Sequence, residues 1–196
     1  MFIFVGLPFK SEYRFKPDAK SQYIFCPNHC SYIDIPTLGL NKHNTIFVGK
    51  SGIQKVPLFG YMYSKLHITV DRTKLKSRYS SMIRSIHAIE EGKSLVIYPE
   101  GGIMSKHPPQ LADFKDGAFR VAIEKQIPIV PVTIPYNWII LSDNEFLLQW
   151  HTVKVIFHEP ISTQGLSIND VDELKEKVRT VINEELKKHS KHEDYQ

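Results

Sequence analysis

Residues 22–34 read QYIFCPNHCSYID. Tyr23 to Cys26 are aromatic, β-branched or apolar and carry no charge, the composition of a strand buried on both faces. Pro27 and Asn28 close the run, because proline lacks the amide proton a ladder needs and asparagine favours turns. Ser31 is a candidate N-cap for a helix to follow. A strand that feeds through a tight turn into a helix is the opening half of a βαβ unit, and such units build parallel sheets.

The pattern recurs along the chain. Residues 45–48 (TIFV), 94–98 (SLVIY), 127–134 (IPIVPVTI) and 152–157 (TVKVIF) are short strand-like runs bounded by Gly, Pro, Asn or charge. Helical spacing lies between them. Tyr79, Met82, Ile83, Ile86 and Ile89 form one apolar stripe ending at Gly92, with Lys74, Lys76, Arg78 and Arg84 on the other face. Phe119, Ala122 and Ile123 mark a shorter helix after Gly117. Val171, Leu174, Val178, Val181 and Leu186 mark a long one, and Ser167 to Asp170 resembles a capping box at its start. The expectation is a single α/β domain with a largely parallel mixed sheet flanked by helices. Ligands of such sheets collect at the C-terminal ends of the strands, so the loops after Cys26, Val48, Tyr98 and Ile134 are where chemistry is expected.

Composition narrows the class. The chain has 196 residues, 42% hydrophobic and 23% charged, which suits one folded domain and excludes disordered and fibrous classes. A net charge of +4 fits an anionic substrate or membrane surface and is too small to argue for nucleic acid. Two cysteines, Cys26 and Cys30, make neither a disulfide framework nor a four-ligand zinc site, so a reducing compartment is expected. The histidines lack metal-ligand spacing and no metal is expected.

Residues 1–9 (MFIFVGLPF) are apolar and too short to span a bilayer. They read as a buried first strand, an interfacial anchor, or the tail of a longer segment. Residues 1–20 are therefore set apart as an N-terminal apolar and basic segment, a remnant of a membrane anchor, from a catalytic domain at 21–196. Residues 137–150 (NWIILSDNEFLLQW) read as a hairpin turning at Ser142-Asp143-Asn144 with its apolar face in the core. A membrane-facing patch is the alternative, since aromatic residues favour interfaces.

Three places offer chemistry. His29 and Asp34 straddle the turn after the first strand, and a carboxylate that orients an imidazole makes it a general base. A second His–Asp pair, His189 and Asp194, lies in a polar tail and reads as solvated. Cys30 reads as a buried, inert thiol. Glu100-Gly101-Gly102 follows the 94–98 strand, where glycines allow close backbone approach to an anion. Asp71-Arg72 ends the run 67–70, and its arginine is either an anion binder or a surface cation.

Together these residues resemble the glycerolipid acyltransferase family, most closely the 1-acyl-glycerol-3-phosphate acyltransferases. The family's Asn-His-x-Ser-x-x-Asp motif stands here as Asn28-His29-Cys30-Ser31-Tyr32-Ile33-Asp34. Its second block corresponds to Lys50, Val56-Pro57-Leu58-Phe59-Gly60 and Thr69-Val70-Asp71-Arg72. The third is Tyr98-Pro99-Glu100-Gly101, followed by Phe114-Lys115-Asp116-Gly117, and the fourth is Val130-Pro131-Val132. The resemblance implies transfer of a fatty acyl group from an acyl-CoA or acyl-ACP (acyl carrier protein) thioester to the hydroxyl of a lyso-glycerolipid, in phospholipid biosynthesis. It implies His29 as base and Asp34 as its orienting group. Arg72 and Lys50 would contact an acceptor phosphate, Glu100 and Gly101 would shape the acceptor site, and Lys115 would be a further anion contact. The thioester is a co-substrate; neither cofactor nor metal is implied. The partners implied are the donor, the lyso-lipid and a membrane surface, on the cytoplasmic side, peripheral or anchored by a segment outside this chain.

One departure bears on the acceptor. Where the family has Thr-Arg-Ser after Glu-Gly, this chain has Gly102-Ile103-Met104, with Lys106 and His107 nearby. Loss of that arginine admits a lyso-lipid without the phosphate, such as a lyso-aminolipid. A thioesterase using the same base on water and a silent lipid-binding module are the rival readings.

Overall fold

The computed structural model of the chain describes residues 6–18, 20–52, 59–142 and 147–190. The strands are β1 (Phe9–Tyr13), β2 (Ile24–Pro27), β3 (Thr45–Lys50), β4 (Ile68–Val70), β5 (Ser94–Ile97), β6 (Ile129–Thr133) and β7 (Val153–Phe157). The helices are α1 (Asp34–Leu38), α2 (Phe59–Leu66), α3 (Leu75–Glu90), α4 (Gly117–Lys125), α5 (Asn137–Ile140) and α6 (Val171–Ser190). The strands form one sheet in the order β1-β7-β6-β2-β5-β3-β4. Every pairing is parallel except β6 with β7. This is the mostly parallel α/β architecture expected, and all five strand-like runs are strands in it.

Period-two alternation divides the core. Ile24, Cys26, Leu95, Ile97 and Ile129 face α3, α4 and α6, packing with Phe119, Ala122, Leu174, Val178 and Ile182. Phe25, Val96, Tyr98, Val130 and Val132 face the other way, onto Leu38 of α1 and Tyr63 of α2. Helices on both faces explain why β2 and β5 are buried at every position. The chain leaves β2 through α1 on one face and leaves β5 for β6 through α4 on the other. The loops after β2 and β5 therefore diverge above adjacent strands, the arrangement that opens a ligand crevice.

Helix ends follow local chemistry. Gly92 takes φ +81° and its N–H bonds the carbonyl of Ile89, stopping α3. Ser167 and Asp170 form the capping box, over the 3-10 turn Ile168–Asp170 that leads into α6. No helix among the described residues is long and apolar enough to cross a membrane.

Four expectations are refined or overturned, or fall outside the described residues. On α3 the apolar stripe is only partly the core face: Ile89 is buried with Ser81, Ser85 and Ala88, and Met82 and Ile86 pack against the core, while Tyr79 (66% exposed) and Ile83 (47%) face outward. Residues 1–5 lie outside the described residues. The strand nearest them, β1, carries the charged run FKSEY and pairs with β7 at the sheet edge, because backbone pairing rather than burial holds an edge strand. Residues 137–150 double back as an antiparallel pair with Ile140 buried, but only the first arm faces inward. Asn137–Ile140 is a helical turn, Leu141 bridges Leu148, and Leu147, Leu148 and Trp150 are exposed. Asp143 and Asn144 lie outside the described residues. His189 is not solvated either: it is packed against Tyr136, whose hydroxyl lies 2.6 Å from Nδ1, and against Glu185 at 3.4 Å. Its supposed partner Asp194 lies outside the described residues.

Candidate active site

The exit of β2 is pinned before it turns. The Asn28 side chain acts as an extra peptide group, donating from Nδ2 to the Ile134 carbonyl (3.0 Å) and accepting from the Ile134 N–H at Oδ1 (2.8 Å). This two-point bond locks the ends of β2 and β6 together. Ser31, expected as a helix cap, precedes the actual cap Ile33 and accepts its N–H at 3.4 Å, while its Oγ donates to the Leu141 carbonyl at 2.7 Å, joining the same turn to the segment after α5.

His29 and Asp34 meet across the turn, with Nδ1 and Oδ2 2.9 Å apart. The same Oδ2 accepts the N–H groups of Cys30 and Ser31, each at 2.9 Å, and Oδ1 accepts from Nδ2 of Asn137 at 2.9 Å. A carboxylate offers only lone pairs, so Nδ1 carries the proton and Nε2 is left as the basic nitrogen. Asp34 is 1% exposed and His29 8%. The imidazole lies on the Tyr98 ring, with centroids 4.1 Å apart and planes at 27°. The Tyr98 hydroxyl is buried with no hydrogen-bond partner among the described residues. Burial pushes the Cys30 thiol far above its ordinary value, in keeping with an inert thiol.

Glu100, 1% exposed, ties the turn to the next loop. Its Oε1 accepts the His29 N–H and its Oε2 the Ala112 N–H, both at 2.8 Å. Burial raises its pKa to about 7 against the pull of those two donors. Gly101 follows with φ +90°, a conformation that L side chains rarely adopt. Arg72 occupies the space a side chain would need: a Cβ on Gly101 would stand 2.8 Å from Nη1, and 3.8 Å from Cγ of Lys115. Arg72 is therefore no surface cation. Its Nη1 is buried without a partner among the described residues, and desolvation depresses its pKa, though a guanidinium stays charged. Lys115 is anchored by its N–H to the Pro99 carbonyl at 2.8 Å.

His29, Asp34, Glu100, Gly101, Arg72 and Lys115 thus occupy one end of the sheet. Lys50 reaches the same end on β3, opposite Val70, but is exposed and stands outside this packed group. Of the second block, Val56, Pro57 and Leu58 lie outside the described residues. Ile103, which the resemblance sets against the family's arginine, offers no cation. Asn137, 1% exposed, is the important group that motif reading missed; its one signal is a lone amide heading the apolar run 137–141. The arrangement offers an oriented base beside a buried, unneutralised cation.

The family model described as Acyltransferase matches residues 10–135. A 1-acyl-sn-glycerol-3-phosphate acyltransferase of Haemophilus influenzae is 32% identical over 176 residues, covering 84% of this chain and 69% of that protein. The protein of that name from Saccharomyces cerevisiae is 29% identical over 172 residues, 86% of this chain and 57% of the relative. The chloroplastic BAT2 enzyme of Brassica napus is 29% identical over 147 residues, 74% and 42% of the two chains. This chain thus spans roughly half the length of several relatives it matches. The crystal structure of the 1-acyl-sn-glycerophosphate acyltransferase PlsC from Thermotoga maritima superposes with a TM-score of 0.76 at 19% identity, covering 96% of this chain and 75% of that one, and shares the fold. With a family match over more than half its length, and the motif blocks in order along the sequence, the chain belongs to the acyltransferase family.

Proposed function

We propose that this chain transfers a fatty acyl group from an acyl thioester, on coenzyme A or acyl carrier protein, to the free hydroxyl of 1-acyl-glycerol-3-phosphate, giving phosphatidate. The relatives named for that reaction support the class. The observation that carries the choice of acceptor is Arg72, whose buried Nη1 has no protein partner among the described residues. A buried cation is costly unless an anion completes it, and the acceptor phosphate is that anion. Arg72 and Lys115 around Gly101 would then do the work of the arginine replaced by Ile103.

In this mechanism Nε2 of His29 takes the proton of the acceptor hydroxyl as its oxygen attacks the thioester carbonyl. Asp34 holds the ring and stabilises the imidazolium. The tetrahedral intermediate collapses, the C–S bond breaks, and the thiolate leaves with the proton that His29 returns. The ester and a free thiol are the products. Such base catalysis is worth about 10²–10⁴-fold. The reaction needs neither metal nor cofactor, and we place it on the cytoplasmic side of the membrane that holds the acceptor.

Thiol release from both donors, measured with and without each of a panel of lyso-lipids, tests the reading. Release should depend on the acceptor and be fastest with the phosphate-bearing one. His29→Ala should lower it at least a hundredfold, and Arg72→Gln should raise the acceptor KM about tenfold or more with a smaller effect on the donor KM. Equal release without acceptor would make the chain a thioesterase; preference for a lyso-aminolipid would refute the role of Arg72.

A further inference from the structure

We propose that the outer face of α3 is the surface on which this chain rests against an anionic lipid bilayer. The helix is built inside out for a solvent-facing element. Its core-facing side includes Ser81 and Ser85, both buried, while Leu75 (73% exposed), Tyr79 (66%) and Ile83 (47%) stand outside. These three recur at every fourth residue, so they lie one above another on a single stripe. Met82 and Ile86, partly buried against the core, continue that stripe inward. The apolar sector therefore runs from the core out into solvent, where it has no protein partner among the described residues.

The charge around the stripe identifies its occupant. From Leu75 to Ile89 the helix has no acidic residue, and it carries Lys76, Arg78 and Arg84 with Lys74 just before it. Lys74 pairs with Asp71 at 3.7 Å; Arg84 reaches the His67 carbonyl at 3.4 Å. Exposed Leu, Tyr and Ile beside Lys and Arg on one helix match an interfacial helix lying in the plane of anionic headgroups. At 16 residues α3 is about 24 Å long, enough for one flat contact. Its N-terminal end follows directly from Asp71-Arg72, so a chain lying on α3 keeps the crevice close to the lipid surface.

The test uses the full chain and vesicles without lyso-lipid or thioester, so its result does not depend on the acyl-transfer reading. Co-sedimentation with phosphatidylglycerol–phosphatidylcholine vesicles should exceed that with phosphatidylcholine alone and should weaken with added salt. The triple variant Leu75→Ser, Tyr79→Ser, Ile83→Ser should bind at least tenfold more weakly while keeping the wild-type circular dichroism and turnover on a short-chain, water-dispersed acceptor. In a separate variant, Tyr79→Trp should show a blue-shifted emission when anionic vesicles are added. Unchanged binding by the triple variant, or no blue shift, would overturn the proposal. So would loss of binding on changing Leu147, Leu148 and Trp150 to Ser instead. Wild-type chain that ignores vesicles, and uses this face to dimerise or to capture an acidic carrier protein, would overturn it as well.

Discussion

Asn137 shows what a single side chain decides in this site. Its Nδ2 donates to Asp34 Oδ1 at 2.9 Å and to Thr37 Oγ1 at 3.2 Å, and its own Oδ1 is buried without a partner among the described residues. An amide that accepts an unsatisfied oxygen to keep two donor bonds is there to hold the carboxylate. Asn137→Ala should lower kcat about 10–100-fold, the value of one hydrogen bond to a charged group, and leave both KM values near wild type. Steady-state kinetics on a variant with an unchanged melting curve would check this, and a loss confined to KM would refute it. Gly101 makes the complementary case. Gly101→Ala forces a side chain to positive φ and into Nη1 of Arg72, 2.8 Å from its Cβ. It should raise the acceptor KM severalfold more than the donor KM, in the same assay.

At the scale of elements, the edge strand β1 depends on a bond made far away in sequence. Arg14, just past its end, clasps Glu185 of α6 through both guanidinium nitrogens, at 2.9 and 2.6 Å. Burial works to raise the Glu185 pKa, but Arg14 and Lys188 overcome it and hold the carboxyl at about 2. The Glu185 side chain is 4% exposed and that of Arg14 35%. Removing Arg14 leaves the buried carboxylate with only His189 and the more exposed Lys188 near it among the described residues. Arg14→Met should cost about 3 kcal/mol, the lower end for a broken buried pair because Arg14 is partly solvated. Urea unfolding would measure it, and the double variant with Glu185→Leu should recover part of the loss. Recovery would show that the stranded charge, not lost packing, causes the damage.

Two buried groups set opposing pH dependences on the whole molecule. Glu100 keeps its proton to about pH 7 in the native state, from an ordinary value of 4.5, because it is desolvated. Its contribution to stability is full below pH 4.5 and is lost as the pH rises through 7. His158 is pulled down to about 4 from 6.5, first by burial and then by Arg14. Its contribution is full above pH 6.5 and is lost as the pH falls through 4. Each is worth about 3 kcal/mol over its window, and the signs oppose. Between pH 4.5 and 6.5 these two contributions largely cancel, while His43, His67 and His189, also lowered by burial, leave wild-type stability rising gently with pH. Glu100→Gln removes one side of the balance, so its stability should climb more steeply with pH across that range. Urea midpoints at several pH values would show this, and a Gln variant with the wild-type pH profile would refute the balance.

Local chemistry alone determined a good deal. Alternation of short apolar runs with helical stripes implied the α/β sheet, since burial on both faces leaves no charged positions in β2 or β5. The turn after Cys26 placed His29 against Asp34, because five residues across a proline-asparagine turn leave little freedom. The capping box and Gly92 were legible for the same reason: they involve neighbours in sequence. The tertiary structure decided whatever depends on partners distant in the chain. Asn137 reaches Asp34 across 103 positions and Arg14 reaches Glu185 across 171. The stripe on α3 was correctly helical, but Tyr79 and Ile83 fall outside the sector that packs on the core, because periodicity gives the angle between side chains and not which sector meets the sheet. Of the two readings left open for Arg72, only the packing of Gly101 against it, with Nη1 buried, excluded the surface cation. Sequence specifies which side chains share a face or a turn; the three-dimensional packing specifies what lies opposite them, and burial and unpaired charge follow from that.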